Sequence, residues 1–339
     1  MTVSPSAKFA LAMADDYPWE DIFANQLAGL DVEIWPDCPD WDEVELTRRL
    51  RGVDAVVTGR KSPQVPDALI RDPGRLHAVL HCHGGVRQLV RKEHLLAGIT
   101  VTNWGTRIGG GVAEAALALM LACLKQLRSL HDWAESGKAD DPRIYQNYRC
   151  SLFGAKIGIY GYGPIGSKMA MLLEPFSSQL AIYDPYAADL PPGAIRCETL
   201  EELFDHSDIV TLHCGLNDIT RKSVTADLLD RLPQGGILVN TARGAIVDEE
   251  ALAERVHAGR LLAGVDVVCE EGPAWGNTPL AGTRNAILGA HCISKGKGAE
   301  PGLSRPRKLP RFVVENLRAL ATGTPLINVI PPELYDLKT

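Results

Sequence analysis

The stretch Gly161-Tyr162-Gly163-Pro164-Ile165-Gly166 follows directly on the apolar run 155–160 and opens a helix-like segment, 167–173. The next β-rich run, 180–184, ends in an acid, Asp184, at about the spacing of a βαβ unit that holds a dinucleotide. Glycines in this pattern are weak alone, because turns need glycine. Here a strand precedes them, a helix follows, and an acid closes the next strand. Gly161 permits the tight turn, Gly163 lets the backbone approach a pyrophosphate, and Gly166 lets the helix pack close to the strand. Pro164 and Ile165 open a helix whose free N–H groups and positive dipole end receive phosphates. Asp184 is suited to accept both ribose hydroxyls and to repel a 2′-phosphate, so NAD is expected rather than NADP. A glycine-rich turn without a ligand is the plainer alternative, and the flanking context weighs against it.

A chain of 339 residues exceeds what one core usually holds, so two domains are expected. Its net charge of −7 speaks against general affinity for nucleic acid or an anionic membrane. The eight cysteines include no C-x-x-C pair, which reads as reduced thiols in a cytoplasmic protein and not as a disulfide frame. The N-terminal apolar run, 9–14, is short and closed by Asp15 and Asp16, unlike a signal peptide. The run 112–124 carries Glu114 and is too short to span a bilayer, so no membrane partner is expected.

Strand-like runs at 8–13, 32–35, 55–58, 78–81 and 100–102 alternate with helical stretches at 20–28, 42–51, 67–71 and 88–97. Such alternation implies an α/β fold with a parallel sheet covered on both faces. After a long helix at 113–130, six further strands are expected at 155–160, 180–184, 208–213, 237–240, 261–266 and 286–288. A last helix at 312–321, delayed by Pro301, Pro306 and Pro310, leads into a tail expected to return to the first domain. The expected fold is thus two doubly wound domains. A Rossmann dinucleotide-binding domain, 105–297, is inserted in a discontinuous flavodoxin-like substrate domain, 1–104 with 298–339.

Three segments supply polar groups just after strands, where open parallel sheets hold their ligands. They carry Arg243, then Asp266 and Glu271, then His291. Each alone reads as well as a surface ion pair, a solvated acid or an idle loop histidine. Together, a guanidinium, an acid and an imidazole after three different strands point to chemistry.

At these residues the chain resembles the D-isomer-specific 2-hydroxyacid dehydrogenase family over nearly its whole length. The matches are the loop 161–166, the segment Asn240-Thr241-Ala242-Arg243-Gly244, Glu271 after Asp266, and His291. Tyr183-Asp184-Pro185-Tyr186 and the segment from Val210 to Asn217 resemble its C-terminal-binding-protein branch, whose members are NAD-sensing corepressors in animals. The resemblance implies hydride transfer between nicotinamide and C2 of a small 2-keto or 2-hydroxy acid. His291 then exchanges the proton on the C2 oxygen, Glu271 fixes the imidazole, and Arg243 grips the carboxylate. It also sets His213 and Thr241 beside the coenzyme. Asp266 either orients the nicotinamide end or simply caps its strand. A corepressor-like dimer with little turnover is the rival reading.

In the family a glycine turn of the first domain binds the substrate carboxylate through backbone N–H groups. The matching residues here are His83, Gly84 and Gly85, with Arg107 in the loop that borders the family's cleft. His83 and Arg87 depart from the family pattern. One reading has some of His81, His83, Arg87, Arg107 and Lys295 contacting a second anionic group on the substrate; the other leaves them as surface residues. No metal is expected, since neighbouring strand residues such as Cys82 and His83 point to opposite faces. Ala290 stands where the family has proline. Helix 113–130 is apolar around most of its surface, which calls for cover on more than one side. In the family the corresponding helix lies in a dimer interface, so a homodimer is expected.

Overall fold

Runs such as Ala55–Thr58 and Ala78–His81 are buried along their whole length, the pattern of parallel strands covered on both faces. The strands are β1 (Lys8–Ala12), β2 (Asp31–Ile34), β3 (Ala55–Thr58), β4 (Ala78–His81), β5 (Thr100–Thr102) and β6 (Lys156–Tyr160). They continue as β7 (Gln179–Tyr183), β8 (Ile195–Arg196), β9 (Ile209–Leu212), β10 (Gly236–Asn240), β11 (Leu261–Val265) and β12 (Ala286–Leu288). Helices α1 (Glu43–Leu50), α2 (Ala68–Arg71), α3 (Lys92–Leu96), α4 (Gly109–Leu124), α5 (Leu127–Glu135) and α6 (Pro164–Leu173) lie between them. They are followed by α7 (Leu200–Asp205), α8 (Ala226–Arg231), α9 (Glu249–His257), α10 (Arg311–Thr322) and α11 (Tyr335–Lys338). This computed structural model describes residues 7–13, 22, 25–59, 61–105, 109–136, 151–271, 276–293 and 309–338. The chain divides into two units, Met1–Arg107 with Gly296–Thr339, and Ile108–Lys295.

The first unit holds a parallel sheet of order β2-β1-β3-β4-β5. Alternate residues feed two cores. Ala10, Ala12, Val56 and Val79 face one side. Phe9, Leu11, Val57 and Leu80 face the other, against Phe312, Val313 and Leu317 of α10. Asn316 is fully buried and accepts the Ile327 N–H at 2.9 Å, while Ile330 N–H donates to Val101 at 2.9 Å. Residues after α10 therefore complete the first unit's sheet edge.

The second unit holds a parallel sheet of order β12-β11-β10-β9-β6-β7-β8. The order reverses between β6 and β9, and ligands of such sheets bind at the carboxyl ends of the strands there. β8 makes a seventh strand where six were expected. It is the edge of the sheet, two exposed residues paired to β7, too short to leave a periodic signal.

The long helix expected over 113–130 is two helices. Gln126 has φ of +46°, a left-handed conformation that ends the α4 ladder, and α4 and α5 meet at 53°. Among the described residues no single helix is long and apolar enough to cross a membrane, though this bent pair passes on length and composition. α4 is mostly interior: Ala113, Ala116, Leu119 and Met120 pack with Ile157, Val239, Met169 and Leu173. Its apolar surround is thus covered in large part by α6 and the sheet of its own unit. Among the described residues Cys38, Cys82, Cys123, Cys197, Cys214, Cys269 and Cys292 form no disulfide.

Candidate active site

At the end of β6 the chain turns at Gly161, with φ of +92°, a region costly for any side chain. A Cβ there would also lie 2.5 Å from the Cys214 amide nitrogen. A Cβ on Gly166 would run into the Gly161 carbonyl. Gly163 differs: apart from its chain neighbours and its own helix's backbone, no described residue comes within 4 Å of where its Cβ would be. No side chain caps α6, and Pro164 stands in its first turn. Its leading N–H groups therefore suit an anion. Ile165 packs into the core under the helix. The Asp184 carboxylate, just past β7, reaches across to this loop. Its Oδ2 accepts the Tyr162 N–H at 2.6 Å and its Oδ1 the Tyr186 N–H at 2.8 Å.

Two polar atoms at the next strand ends are buried without a partner among the described residues: His213 Nδ1 after β9 and Thr241 Oγ1 after β10. Buried polar groups are nearly always paired, so both atoms fit a site that a bound ligand completes. His213 Nε2 meets Thr211 Oγ1 at 3.0 Å. Burial pushes this imidazole down to about 3, so it is neutral at physiological pH. The glycine loop, the open helix end, Asp184 and these two orphans together fit a dinucleotide.

After β10, Asn240 builds the next turn. Its Oδ1 accepts the Ala242 N–H at 3.0 Å and its Nδ2 donates to the Arg243 carbonyl at 2.9 Å. Arg243 follows in extended conformation with an exposed guanidinium, whose Nη1 donates to the Ala242 carbonyl at 2.6 Å. Gly244 lies against the Val268–Cys269 peptide so closely that a Cβ would overlap it. The Arg243 turn and the segment leading to Glu271 are thus neighbours.

Asp266, past β11, is 4% exposed and serves as a cap. Its Oδ1 accepts the N–H groups of Cys292 at 3.0 Å and Ile293 at 3.3 Å, and its carbonyl accepts the His291 N–H at 2.7 Å. The turn it holds is unusual. Ala290 and His291 have φ of +55° and +53°, and Cys292 N–H closes the turn on the Gly289 carbonyl at 3.1 Å. Proline is locked near −65°, so it cannot occupy position 290 in this turn. On this turn His291 Nδ1 meets Glu271 Oε2 at 2.6 Å, both side chains a little over one-third exposed. Glu271 and His291 are therefore in contact. Among the described residues no hydrogen bond or ion pair joins Arg243 to either of them.

In the first unit, His81 is 2% exposed and its Nδ1 meets Thr58 Oγ1 at 3.0 Å. His83 stacks edge-on against both His81 and Trp104. Trp104 occupies the space a Cβ on Gly84 would need, Asn103 Nδ2 donates to the Gly84 carbonyl at 2.7 Å, and Gly85 is open on its Cβ side. Two basic candidates for a second substrate anion have partners of their own among the described residues. His81 is a core residue, and Arg87 is engaged by the tail, donating to the Asp336 carbonyl at 2.8 Å. Arg107 and Lys295 lie outside the described residues. Among the described residues no group of three His, Cys, Asp or Glu side chains is arranged to hold a metal ion.

Residues 117–292 match the family model of the D-isomer specific 2-hydroxyacid dehydrogenase, NAD binding domain. The chain belongs to the D-isomer-specific 2-hydroxyacid dehydrogenase family. The dehydrogenase is 31% identical to a hydroxypyruvate reductase of Thermotoga maritima, over 74% of this chain and 80% of the relative. It is 30% identical to a glyoxylate reductase of Thermococcus gammatolerans, over 90% of each. Among solved structures, the 2-hydroxyacid dehydrogenase of Ketogulonicigenium vulgare Y25 superposes with a TM-score of 0.74 at 25% identity, over 99% of this chain and 100% of that one. The chain is thus an oxidoreductase using a nicotinamide coenzyme on small 2-keto or 2-hydroxy acids. Reductases as relatives favour this over the corepressor-like reading.

Sequence reasoning passed over two residues that brace these turns: Asn240, and Glu249, whose Oε2 accepts the Cys269 N–H at 2.6 Å. Asn240 stood inside a recognised motif without a role. Glu249 reads in sequence as one of three acids starting a helix, the ordinary place for acids.

Proposed function

We propose that this chain reduces a small 2-keto acid, of the glyoxylate or hydroxypyruvate kind, at the expense of NADH. The observation that carries this reading is the 2.6 Å contact of His291 Nδ1 with Glu271 Oε2. A carboxylate there makes Nδ1–H the donor, leaving Nε2 as the atom that gives the C2 oxygen its proton. Glu271 holds the imidazole's orientation and stabilises its charged form. Arg243 supplies the planar fork for the substrate carboxylate and its neighbouring carbonyl. Asp266 acts one step back by holding the His291 turn. In the first unit, His83, Gly84 and Gly85 are the residues that the family resemblance assigns to substrate binding. Bound in the glycine cradle, the coenzyme supplies the hydride that C2 receives. Gly161, Gly163 and Gly166, the α6 terminus, Asp184, His213 and Thr241 would hold it. Asp184, its carboxylate fixed beside the loop, favours NAD because it repels a 2′-phosphate.

With His81 and Arg87 engaged elsewhere, a compact substrate suits the site better than one with a distant second anion. The functional division is a coenzyme domain at 105–297 within a substrate domain of 1–104 and 298–339. The reading includes a homodimer, supported by α5. None of its residues is buried, although Leu127, Leu130 and Trp133 line it, and Leu127 is 53% exposed. It also includes a cytoplasmic site of action, which reduced cysteines suit.

The test is NADH oxidation with a panel of 2-keto acids, comparing wild type with His291→Ala. Turnover on a small member should fall roughly 10²–10⁴-fold in the variant. Wild-type turnover that His291→Ala leaves intact, or no turnover on any member, would remove the proposal.

A further inference from the structure

Glu249 is the first residue of α9, directly after the capping residue Asp248, whose side chain accepts the Ala251 N–H at 3.3 Å. An acid in this position ordinarily serves its own helix through the dipole. Glu249 instead spends both carboxylate oxygens elsewhere. Oε2 accepts the Cys269 N–H at 2.6 Å, and Oε1 accepts the Thr278 hydroxyl at 2.6 Å. Cys269 stands two residues before Glu271, and Thr278, 8% exposed, stands seven after it. One carboxylate thereby ties both sides of the segment that presents Glu271 to His291. At the other end of α9, His257 Nε2 meets the Pro279 carbonyl at 2.9 Å. Gly244 brings the Arg243 turn against the Val268–Cys269 peptide. The tether thus joins the helix that follows Arg243 to the loop that bears Glu271.

We propose that Glu249 is a positioning residue for the proton-transfer pair: it fixes Glu271, on an exposed segment, at hydrogen-bonding distance from His291. This rests on the functional reading above. Hydrogen bonds to an ionised acceptor are the short, strong class, and small misplacements of catalytic groups cost up to about 10²-fold in rate. The same contact bears on Cys269. Burial, then the Glu249 carboxylate, pushes its thiol up to about 12. Cys269 accordingly reports on the tether independently of turnover.

The experiment compares Glu249→Ala, Glu249→Gln and Thr278→Val, alone and with Glu271→Ala. Gln retains an acceptor for Cys269 N–H and a donor for Thr278 Oγ1. Glu249→Ala should lower kcat for the best keto acid roughly 10–100-fold, with KM and NADH binding changed by less than about threefold. Glu249→Gln should recover most of kcat, and Thr278→Val should give a smaller loss in the same direction. In the Glu271→Ala background Glu249→Ala should do little more, because its effect passes through Glu271. Iodoacetamide labelling of Cys269, read by peptide mass spectrometry, should speed up in Glu249→Ala and also in Glu249→Gln, because both remove the carboxylate that raises its thiol. If Glu249→Ala does not fold, the Thr278→Val loss and its absence in the Glu271→Ala background decide. Unchanged kcat in Glu249→Ala, or an equal loss with and without Glu271, overturns the proposal. Should wild type show no His291-dependent turnover, the functional reading fails by itself. Unaltered Cys269 labelling in Glu249→Ala would then separately remove the tether.

Discussion

His213 combines a buried ring, an orphan Nδ1 and a pKa pushed down to about 3 by burial. The folded protein therefore refuses a proton that the unfolded chain takes up below about pH 6.5. Stability from this residue is complete above that pH and declines as pH falls towards 3. Between about pH 7.5 and about pH 5 the decline is roughly 2 kcal/mol. Urea unfolding should show wild type losing about that much more than His213→Gln over this range. Equal losses would mean the ring is not held neutral. His213 and Thr241 could be named from sequence because they follow strands in recognised segments. Their burial could not, since it depends on how β9 and β10 are covered. His81 shows the reverse. It reads in sequence as a member of a basic cluster, and β4, covered on both faces, buries it beside Thr58.

The turn Gly289–Cys292 sets two consecutive residues, Ala290 and His291, in the left-handed conformation. Two consecutive left-handed residues without glycine cost about 1–2 kcal/mol each. Here Asp266 and Glu271 hold them in place. Ala290→Pro, which restores the family residue, should lower kcat at least tenfold and destabilise the protein, because ring geometry forbids φ of +55°. Ala290→Gly should retain activity, with a midpoint equal to or above wild type in thermal unfolding. Similar behaviour of the two variants would contradict the turn. At this scale the sequence is readable wherever periodicity is sustained. Strands such as Ala55–Thr58 and Thr100–Thr102 lie where apolar runs put them. Helix ends are set by single dihedrals instead: Gln126 breaks the long helix, and Arg91, extended with ψ of 158°, delays α3 to Lys92. Neither residue type announces that geometry.

Across the whole molecule, two parallel sheets with different strand orders share one chain, and the candidate residues divide between them. The glycine loop and the residues from Asp184 to His291 belong to the second unit, and His83 to Gly85 belong to the first. NADH at about 100 times its Kd should add roughly 2.7 kcal/mol to whatever holds it. Hydrogen exchange should then slow most in β6, β9 and β10, and less in β1 to β5. Equal slowing in both sheets would argue against this location. Strand–helix alternation made both sheets legible from sequence. The tail's docking was legible only in outline, because Asn316, Ile330 and Asp336 carry no motif for their partners Ile327, Val101 and Arg87.

Completion of the first unit by α10 and Ile330 has a consequence for synthesis on the ribosome. At ~5–20 residues per second, the early strands wait on the order of ten seconds or more for the late segment that covers Phe9, Leu11 and Val101. All strands of the other sheet emerge during that interval and can pair first. The nascent chain is thus expected to fold from its middle outwards, with a partly bare amino-terminal third as the species most in need of chaperones.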